Sequence, residues 1–137
     1  MLRTLWELPV NPTDLFHDPK SVELTGRRCE LSFSYEGDTD DNMVSVFLVF
    51  EGVEAYRCTF LSSCNTEMVQ AYGALIDLGK TPWLAKVLPH YLKFRRAYGR
   101  VPQELRHFMI YFDDGPCYEL ICTGFRESSK SEPYPAT

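Results

Sequence analysis

The sequence has no apolar run long enough to cross a membrane as a helix, which takes about 20 consecutive apolar residues. Its first residues, MLRTLWELPVNPTD, contain one arginine and only a broken apolar patch. A secretory signal needs a charged start followed by a continuous apolar stretch. We therefore expect a protein that neither spans a membrane nor is secreted.

The cysteines lack any regular spacing. There are five, an odd number, and no two of them form a Cys-x-x-Cys pair. No histidine stands at the spacing that would complete a zinc site. Free thiols in a cytoplasmic protein are the expectation, with no metal and no cofactor.

Motifs of common catalytic and phosphate-binding sites are also missing, including a glycine-rich phosphate loop and a Gly-x-Ser-x-Gly elbow. Asp38, Asp40 and Asn42 imitate the start of a calcium-binding loop, but the required Gly and Glu are absent from its sixth and twelfth positions. Cys64 precedes a predicted helix, where a thiol can become acidic. A small packed side chain at a strand–helix corner is the better interpretation of Cys64. An enzyme is therefore not favoured.

The chain does contain the ordinary material of one globular domain, with 45% hydrophobic and 24% charged residues over 137 positions. Its charge is uneven. Residues 1–79 hold five Lys/Arg against thirteen Asp/Glu, residues 80–110 seven against one, and residues 111–137 two against five. Because a net charge of −5 repels phosphate at long range, we do not expect nucleic-acid binding.

Five segments have the composition of strands. Residues 27–36, RRCELSFSYE, alternate between apolar and polar side chains, which is typical of a half-buried strand. The others are rich in β-branched and aromatic residues, and the last two flank the turn Asp113-Asp114-Gly115-Pro116. The predicted strands, of which the first three are expected to form an antiparallel meander, are 27–36, 43–51, 53–61, 105–113 and 117–125.

Apolar residues recur at helical spacing in two segments. The first is predicted at 65–78, capped by Asn65 or Thr66. The second, at 82–98, begins with Thr81-Pro82, and Pro89 inside it predicts a kink or a break.

The order β-β-β-α-α-β-β predicts a two-layer α+β domain over residues 1–126. An antiparallel five-stranded sheet would carry both helices on one face. Residues 1–26 contain three prolines and are expected to be irregular or extended. Residues 127–137 are polar and are expected to be a disordered tail.

One face of the second helix is basic. Lys86, Lys93, Arg96 and Arg100 recur opposite the apolar stripe, which is typical of a solvated face. Nearby aromatic side chains could stack on bases, but a surface helix already explains the pattern.

Glu119 is the residue least suited to its surroundings, because its neighbours on the strand are apolar. Pairing outward from a four-residue turn places His107 and Glu119 on opposite faces of the hairpin, so they should not meet. An ion pair, with Arg57 as the candidate partner, is the favoured interpretation. A buried functional carboxylate is the alternative.

Four short motifs stand between positions 49 and 123: EGVEA at 51–55, the LG-to-PW corner at 78–83, YFDD at 111–114 and CYE at 117–119. They resemble those of a family of small uncharacterised bacterial α+β proteins that are immunity-protein-like. The resemblance implies the same α+β fold and a role as a partner protein encoded beside its target, and it supplies no catalytic residues.

Two classes of function remain. The first is a cytoplasmic protein–protein interaction domain, including the case of an immunity-type inhibitor of a neighbouring-gene partner. Its acidic side chains would meet a basic protein; they are Asp38, Asp40, Asp41, Asp113 and Asp114. The second is a small enzyme or ligand-binding protein with a pocket between sheet and helices, lined by His107, Tyr111, Tyr118 and Glu119. Homo-oligomer formation through the hairpin or the helix surface is left open.

Overall fold

The computed structural model describes residues 2–16, 21–39 and 42–134. Its order of strands and helix confirms a mixed, sheet-rich α+β fold. All five predicted strands are present within a few residues of their predicted bounds, and four further strands appear. The elements are β1 (Arg3–Glu7), β2 (Ser21–Thr25), β3 (Arg28–Glu36), β4 (Asn42–Glu51), β5 (Ala55–Thr59), β6 (Ala74–Asp77), α1 (Pro82–Ala97), β7 (Arg106–Tyr111), β8 (Cys117–Cys122) and β9 (Gly124–Pro133).

The strands form two antiparallel sheets, so the prediction of a single five-stranded sheet is wrong. The larger sheet has the order β1-β6-β7-β8-β5 and the smaller β2-β3-β4-β9. β5 does not continue a meander with β3 and β4 but pairs with β8. The chain changes sheet at Gly52, whose φ of 60° favours glycine and whose added Cβ would lie 2.5 Å from the Thr123 hydroxyl oxygen.

The first predicted helix, at 65–78, is largely wrong. A 3₁₀ helix spans Thr66–Ala71 and begins at the predicted cap, where Asn65 accepts the N–H of Met68 at 3.1 Å. Gly73, with φ 68°, then redirects the chain into β6. Because β6 lies inside the larger sheet and both of its faces are covered, its apolar residues need not alternate with polar ones.

The second predicted helix is confirmed as α1. The Thr81 hydroxyl accepts the N–H of Leu84 at 3.2 Å, and Pro82 stands in the first turn. Of the kink or break predicted at Pro89, the break does not occur, because α1 runs unbroken through it. No helix among the described residues is long and apolar enough to cross a membrane.

The main core lies between the two sheets, and α1 covers the opposite face of the larger sheet. Leu84 and Tyr91 of α1 pack there against Leu105 and Ile121. Each large apolar side chain buried this way contributes about 1.5–3 kcal/mol. The buried side chains between the sheets include Leu31, Phe33, Leu48, Phe50, Phe108, Ile110, Phe112, Tyr118 and Leu120.

Both ends of the described chain are more regular than predicted. The region 1–26, expected to be irregular or extended, contributes β1 to the larger sheet and β2 to the smaller one. The region 127–137 is expected to be a disordered tail, but residues 127–133 lie in β9, which pairs with β4 along its whole length. Residues 135–137 lie outside the described residues. The prediction of a disordered tail rested on polar composition, and an exposed edge strand can have the same composition as a disordered segment.

Candidate functional site

The β7–β8 hairpin pairs one residue out of the predicted register. Tyr111 faces Cys117 and Met109 faces Glu119, so five residues form the loop instead of four. Since a shift of one residue moves a side chain to the other face of a sheet, His107 and Glu119 share a face. The prediction that they lie on opposite faces is wrong.

His107 is hydrogen-bonded on both sides of its ring. Its Nε2 lies 3.0 Å from Oε1 of Glu119, and its Nδ1 lies 2.7 Å from the hydroxyl oxygen of Thr81. Both His107 and Glu119 are buried. The imidazole therefore connects Glu119 of β8 to Thr81, the residue immediately before α1.

Arg57 is the predicted partner of Glu119, and the structure confirms it. Its Nε and Nη2 donate to the two carboxylate oxygens, each at 2.8 Å, because β5 pairs Arg57 directly opposite Glu119. Such two-point pairing is the strongest arrangement of these groups. The guanidinium also lies over the Trp83 ring, 4.3 Å from its centre.

The surroundings of Glu119 keep it charged. Burial alone would raise the pKa of the carboxyl, but hydrogen bonds from His107 and Arg57 and the charge of Arg57 outweigh it, and together they lower the pKa to about 2. At neutral pH the group is an ion within the fold, and its charge is balanced by Arg57.

The hydrogen bonds around His107 can all be satisfied. The N–H of Leu84 donates to the Thr81 hydroxyl oxygen, which also lies within hydrogen-bond distance of Nδ1 of His107. Nε2 donates to Glu119, whose carboxylate can only accept. The Thr81 hydroxyl, the His107 ring and the Glu119 carboxylate therefore form a continuous chain of hydrogen bonds.

This order of hydroxyl, imidazole and carboxylate is also the order of a nucleophilic triad. Here the Thr81 hydroxyl already caps α1, and no buried side-chain N or O atom among the described residues lacks a partner. A fully satisfied polar network makes a rigid junction. We interpret it as the connection that fixes α1 to the larger sheet.

A cavity of about 430 Å³ opens beside this network. Of the four residues predicted to line a pocket, only His107 and Glu119 do so. Tyr111 packs instead against the 3₁₀ helix, and Tyr118 lies between the two sheets. The cavity is lined by Leu2, Arg57, Glu67, Gln70, Leu78, Thr81, Pro82, Trp83, Lys86, His107, Met109 and Glu119.

The predicted acidic residues fall at two places. Asp38 lies in the connection between β3 and β4, on the smaller sheet, while Asp40 and Asp41 lie outside the described residues. Asp113 and Asp114 occupy the β7–β8 loop of the larger sheet.

Nowhere in the described ranges do three or more His, Cys, Asp or Glu side chains come together in a way that could hold a metal ion.

An exposed apolar group next to the β7–β8 loop escaped sequence reasoning. The strand predicted at 53–61 ends at Thr59 as β5, and the Phe60 side chain beyond it is 69% exposed. Leu61 and Tyr72 are also exposed, and the Tyr72 hydroxyl donates to Asp113. The sequence signal that could have placed Phe60 beyond the end of the strand is Ser62-Ser63, which follows it and favours a turn.

Cys64 lies beneath this group as a partly buried side chain, as its packing interpretation predicts. Its Sγ lies 3.5 Å from the carbonyl oxygens of Thr59 and Phe60, and it contacts the buried cluster around Tyr111 and Cys117. All five cysteines are free.

Comparisons with protein-family models, with curated proteins and with solved structures give no match.

Proposed function

We propose that this chain is a protein–protein interaction domain that binds a basic partner beside the β7–β8 loop. The binding surface consists of Phe60, Leu61, Tyr72, Asp113 and Asp114, and we name it the acidic turn surface. The observation that carries the proposal is the exposure of three large apolar side chains around the β7–β8 loop, where Tyr72 bonds to Asp113 and the Leu61 backbone approaches Gly115.

The apolar part of this surface is what a partner would bury. A soluble domain usually buries large apolar residues unless a partner covers them, and a cluster of exposed ones marks an interaction site. Protein interfaces combine such an apolar centre with a polar rim. Phe60, Leu61 and Tyr72 would form the centre, and Asp113 and Asp114 the rim.

Contacts within the chain hold Tyr72 and the Leu61 backbone in place. Tyr72 donates its hydroxyl hydrogen to Asp113 and packs edge-on against Tyr111, with ring centres 6.0 Å apart. Leu61 lies so close to Gly115 that an added Cβ would be 2.9 Å from the Leu61 nitrogen. Rigid surfaces lose less conformational entropy on binding, which favours affinity.

The charge of the surface selects the partner. Asp114 is exposed, no ion pair to it is found within the described residues, and the whole chain carries −5. A basic protein would be attracted at long range and would associate faster at low salt. An immunity-type inhibitor of a basic toxin encoded by a neighbouring gene is the specific form that we propose. Five free thiols support a cytoplasmic location for it.

The test is site-specific photocrosslinking in the source cell. A benzoyl-phenylalanine residue is introduced at Phe60 in one variant and, as a matched control, at the exposed Leu24 of β2 in another. We expect Phe60 to crosslink to one basic protein and Leu24 to give no such product. Mass spectrometry identifies the product.

A crosslink of equal yield at both positions, or none at Phe60, contradicts the proposal. The immunity form has its own test, in which the chain is produced together with the protein captured at Phe60. Growth should then be rescued by the natural chain and not by the Phe60→Ser variant.

The cavity beside His107 and Glu119 supports a second candidate, a ligand-binding protein. Its volume of about 430 Å³ falls in the range of small-molecule sites. Native mass spectrometry of the chain purified from its source separates the two candidates. A small molecule retained in place of a protein, and lost in the Trp83→Ala variant, favours the cavity.

A further inference from the structure

A second cavity, of about 570 Å³, lies between α1 and the segment that leads into β7. Its volume is in the range of small-molecule sites. It shares only Thr81 with the cavity beside His107 and no residue with the acidic turn surface. An inference about this second cavity therefore rests on neither function proposed above.

The wall that α1 contributes to this cavity is aliphatic. Leu84, Leu88 and Leu92 follow one another at intervals of four residues, which places them in one row along the helix. With a rise of about 1.5 Å per residue, the row is about 12 Å long. Pro102 and Leu105 line the cavity from the facing segment, and none of the described residues around it is aromatic. The space therefore suits an elongated aliphatic group.

The facing segment is tied to the fold at two points. Residues 101–105 belong to no helix or strand. The N–H of Gln103 donates to the Tyr91 hydroxyl oxygen of α1 at 3.0 Å, and Arg106 donates to Asp77 at the end of β6 at 2.7 Å. The segment therefore runs from the second half of α1 back toward the connection between β6 and α1, where the row of leucines begins.

That end of the cavity is charged, and most of its charges are already paired. Arg106 lies 2.7 Å from a carboxylate oxygen of Asp77 and 3.1 Å from one of Glu104. The buried Asp77 carboxylate has a second cation in Arg3, at 3.4 Å. Lys80 also lines the cavity, is exposed, and forms no ion pair within the described residues. The charge left to meet a ligand at this cavity is therefore positive.

We propose that this cavity binds a small amphipathic carboxylic acid with an aliphatic body. The carboxylate would pair with Lys80, and the body would lie along Leu84, Leu88 and Leu92. Burial of the aliphatic body supplies most of the affinity, since an ion pair to an exposed lysine contributes little. The ion pair instead fixes which end of the ligand lies at the start of α1.

The positions of the charges exclude an amine as the head group. The Asp77 carboxylate is the buried anion at this end, and it already accepts from two arginines and from the N–H of Gly79 at 2.9 Å. An ammonium group placed there would stand beside two guanidinium groups and Lys80, and like charges repel. The selectivity for an acid over an amine is therefore a direct consequence of the proposal.

The test uses isothermal titration calorimetry of the full chain with three probes. Decanoate carries the acid and an elongated body, decylamine carries the same body with the opposite charge, and butyrate carries the acid with a short body. We expect one decanoate to bind per chain. Decylamine should bind at least about tenfold more weakly, and butyrate should show no binding.

Variants then locate the two ends of the ligand. Lys80→Gln should weaken decanoate about fivefold. Lys86→Gln is the matched control, because Lys86 is also exposed and without an ion pair in the described chain, but it lines the cavity beside His107. Its decanoate affinity should be unchanged. Ala85→Trp puts a large ring at an exposed position of the cavity wall and should abolish binding. Circular dichroism confirms that each variant keeps α1.

A measurement on the natural chain places the ligand without any variant. Nuclear Overhauser effects should join the aliphatic protons of bound decanoate to the methyl groups of Leu88 and Leu92. Their absence in a chain that binds decanoate overturns the proposal, as does a chain that does not bind decanoate. Decylamine that binds as tightly as decanoate contradicts the role of Lys80. Equal losses in Lys80→Gln and Lys86→Gln indicate attraction to charge alone and also overturn it.

Discussion

Nε2 of His107 lies 3.0 Å from Oε1 of Glu119, and both side chains are buried on the α1 side of the larger sheet. Through Arg57 and Thr81 the same network reaches β5 and the start of α1. The pair therefore joins the β7–β8 hairpin to β5 and to α1, and its removal should lower the stability of the whole domain.

Glu119→Gln should lower the free energy of unfolding by about 3 kcal/mol, because it leaves Arg57 without its counter-charge and disturbs a buried hydrogen bond. This loss lies at the lower end of the range for breaking a buried ion pair, because Arg57 is half exposed. Urea unfolding followed by circular dichroism measures the change. Glu51→Gln, which removes the exposed partner of Arg126, is the control and should change stability by less than about 0.5 kcal/mol. Equal losses in both variants would show that the buried position of Glu119 does not matter.

The same carboxylate predicts an acid dependence of stability. Its pKa is lowered from 4.5 to about 2 in the folded chain, so its stabilising contribution is complete above the unfolded value. The contribution is lost as pH falls from 4.5 toward 2. The stability difference between the natural chain and Glu119→Gln should therefore narrow over that interval. Urea titrations at several pH values measure it, and a constant difference contradicts the assigned charge state.

The buried cysteines should resist alkylation in the native state. Burial raises the pKa of Cys117 and of Cys122 to about 12, and that of Cys29 to about 11. Because the thiolate is the reactive form, iodoacetamide at neutral pH should label Cys58 and Cys64 first, which are only partly buried. Without reductant, the chain unfolded in urea should take up five labels. Fewer than five would reveal a disulfide.

Gly115→Ala tests how closely the β7–β8 loop approaches Leu61. Gly115 has φ 65°, and an added Cβ would lie 2.9 Å from the Leu61 nitrogen. Gly26→Ala is a matched control, because Gly26 has φ 61° and open space around the added atom. Backbone strain alone should cost each variant about 1 kcal/mol. Thermal unfolding should show a larger loss for Gly115→Ala, and equal losses would mean that Leu61 moves away freely.

Asp114→Asn should slow association with the partner captured at Phe60, because charges at the rim of an interface act mainly on the rate of encounter. Asp114 is a cleaner position than Asp113, whose carboxylate accepts the Tyr72 hydroxyl hydrogen. Stopped-flow measurements at two salt concentrations should show a smaller salt effect for the variant. Glu127→Gln on β9 removes the same charge elsewhere and should leave the rate unchanged. An unaltered rate for Asp114→Asn argues against the acidic turn surface.

The parts of the fold that could be predicted are those whose sequence pattern is local. The alternation in residues 27–36 and the Thr81-Pro82 start of α1 depend only on neighbouring residues, and both are found as predicted. The Arg57–Glu119 pair could also be anticipated, since a carboxylate among apolar residues needs a cation.

What could not be predicted depends on distant partners. Four residues are too few for the pattern of β6 to distinguish a strand from a helix. These residues form a strand because they pair with β1 and β7. The contact of His107 with Glu119 depends on whether the loop has four residues or five. β5 ends one residue before Phe60, and the local sign of this end is only the Ser62-Ser63 pair that follows.

The strand order of the smaller sheet bears on how the chain folds as it leaves the ribosome. β4 lies between β3 and β9, but β9 is the last of the described strands in chain order. Until residues 124–133 have emerged, one whole edge of the apolar β4 strand has no partner within the chain. During that interval the nascent protein offers an open strand edge, which chaperones and other nascent chains can reach. Because the side chains of β4 are apolar, this open edge is prone to aggregation. Pairing with β9 removes that risk for β4.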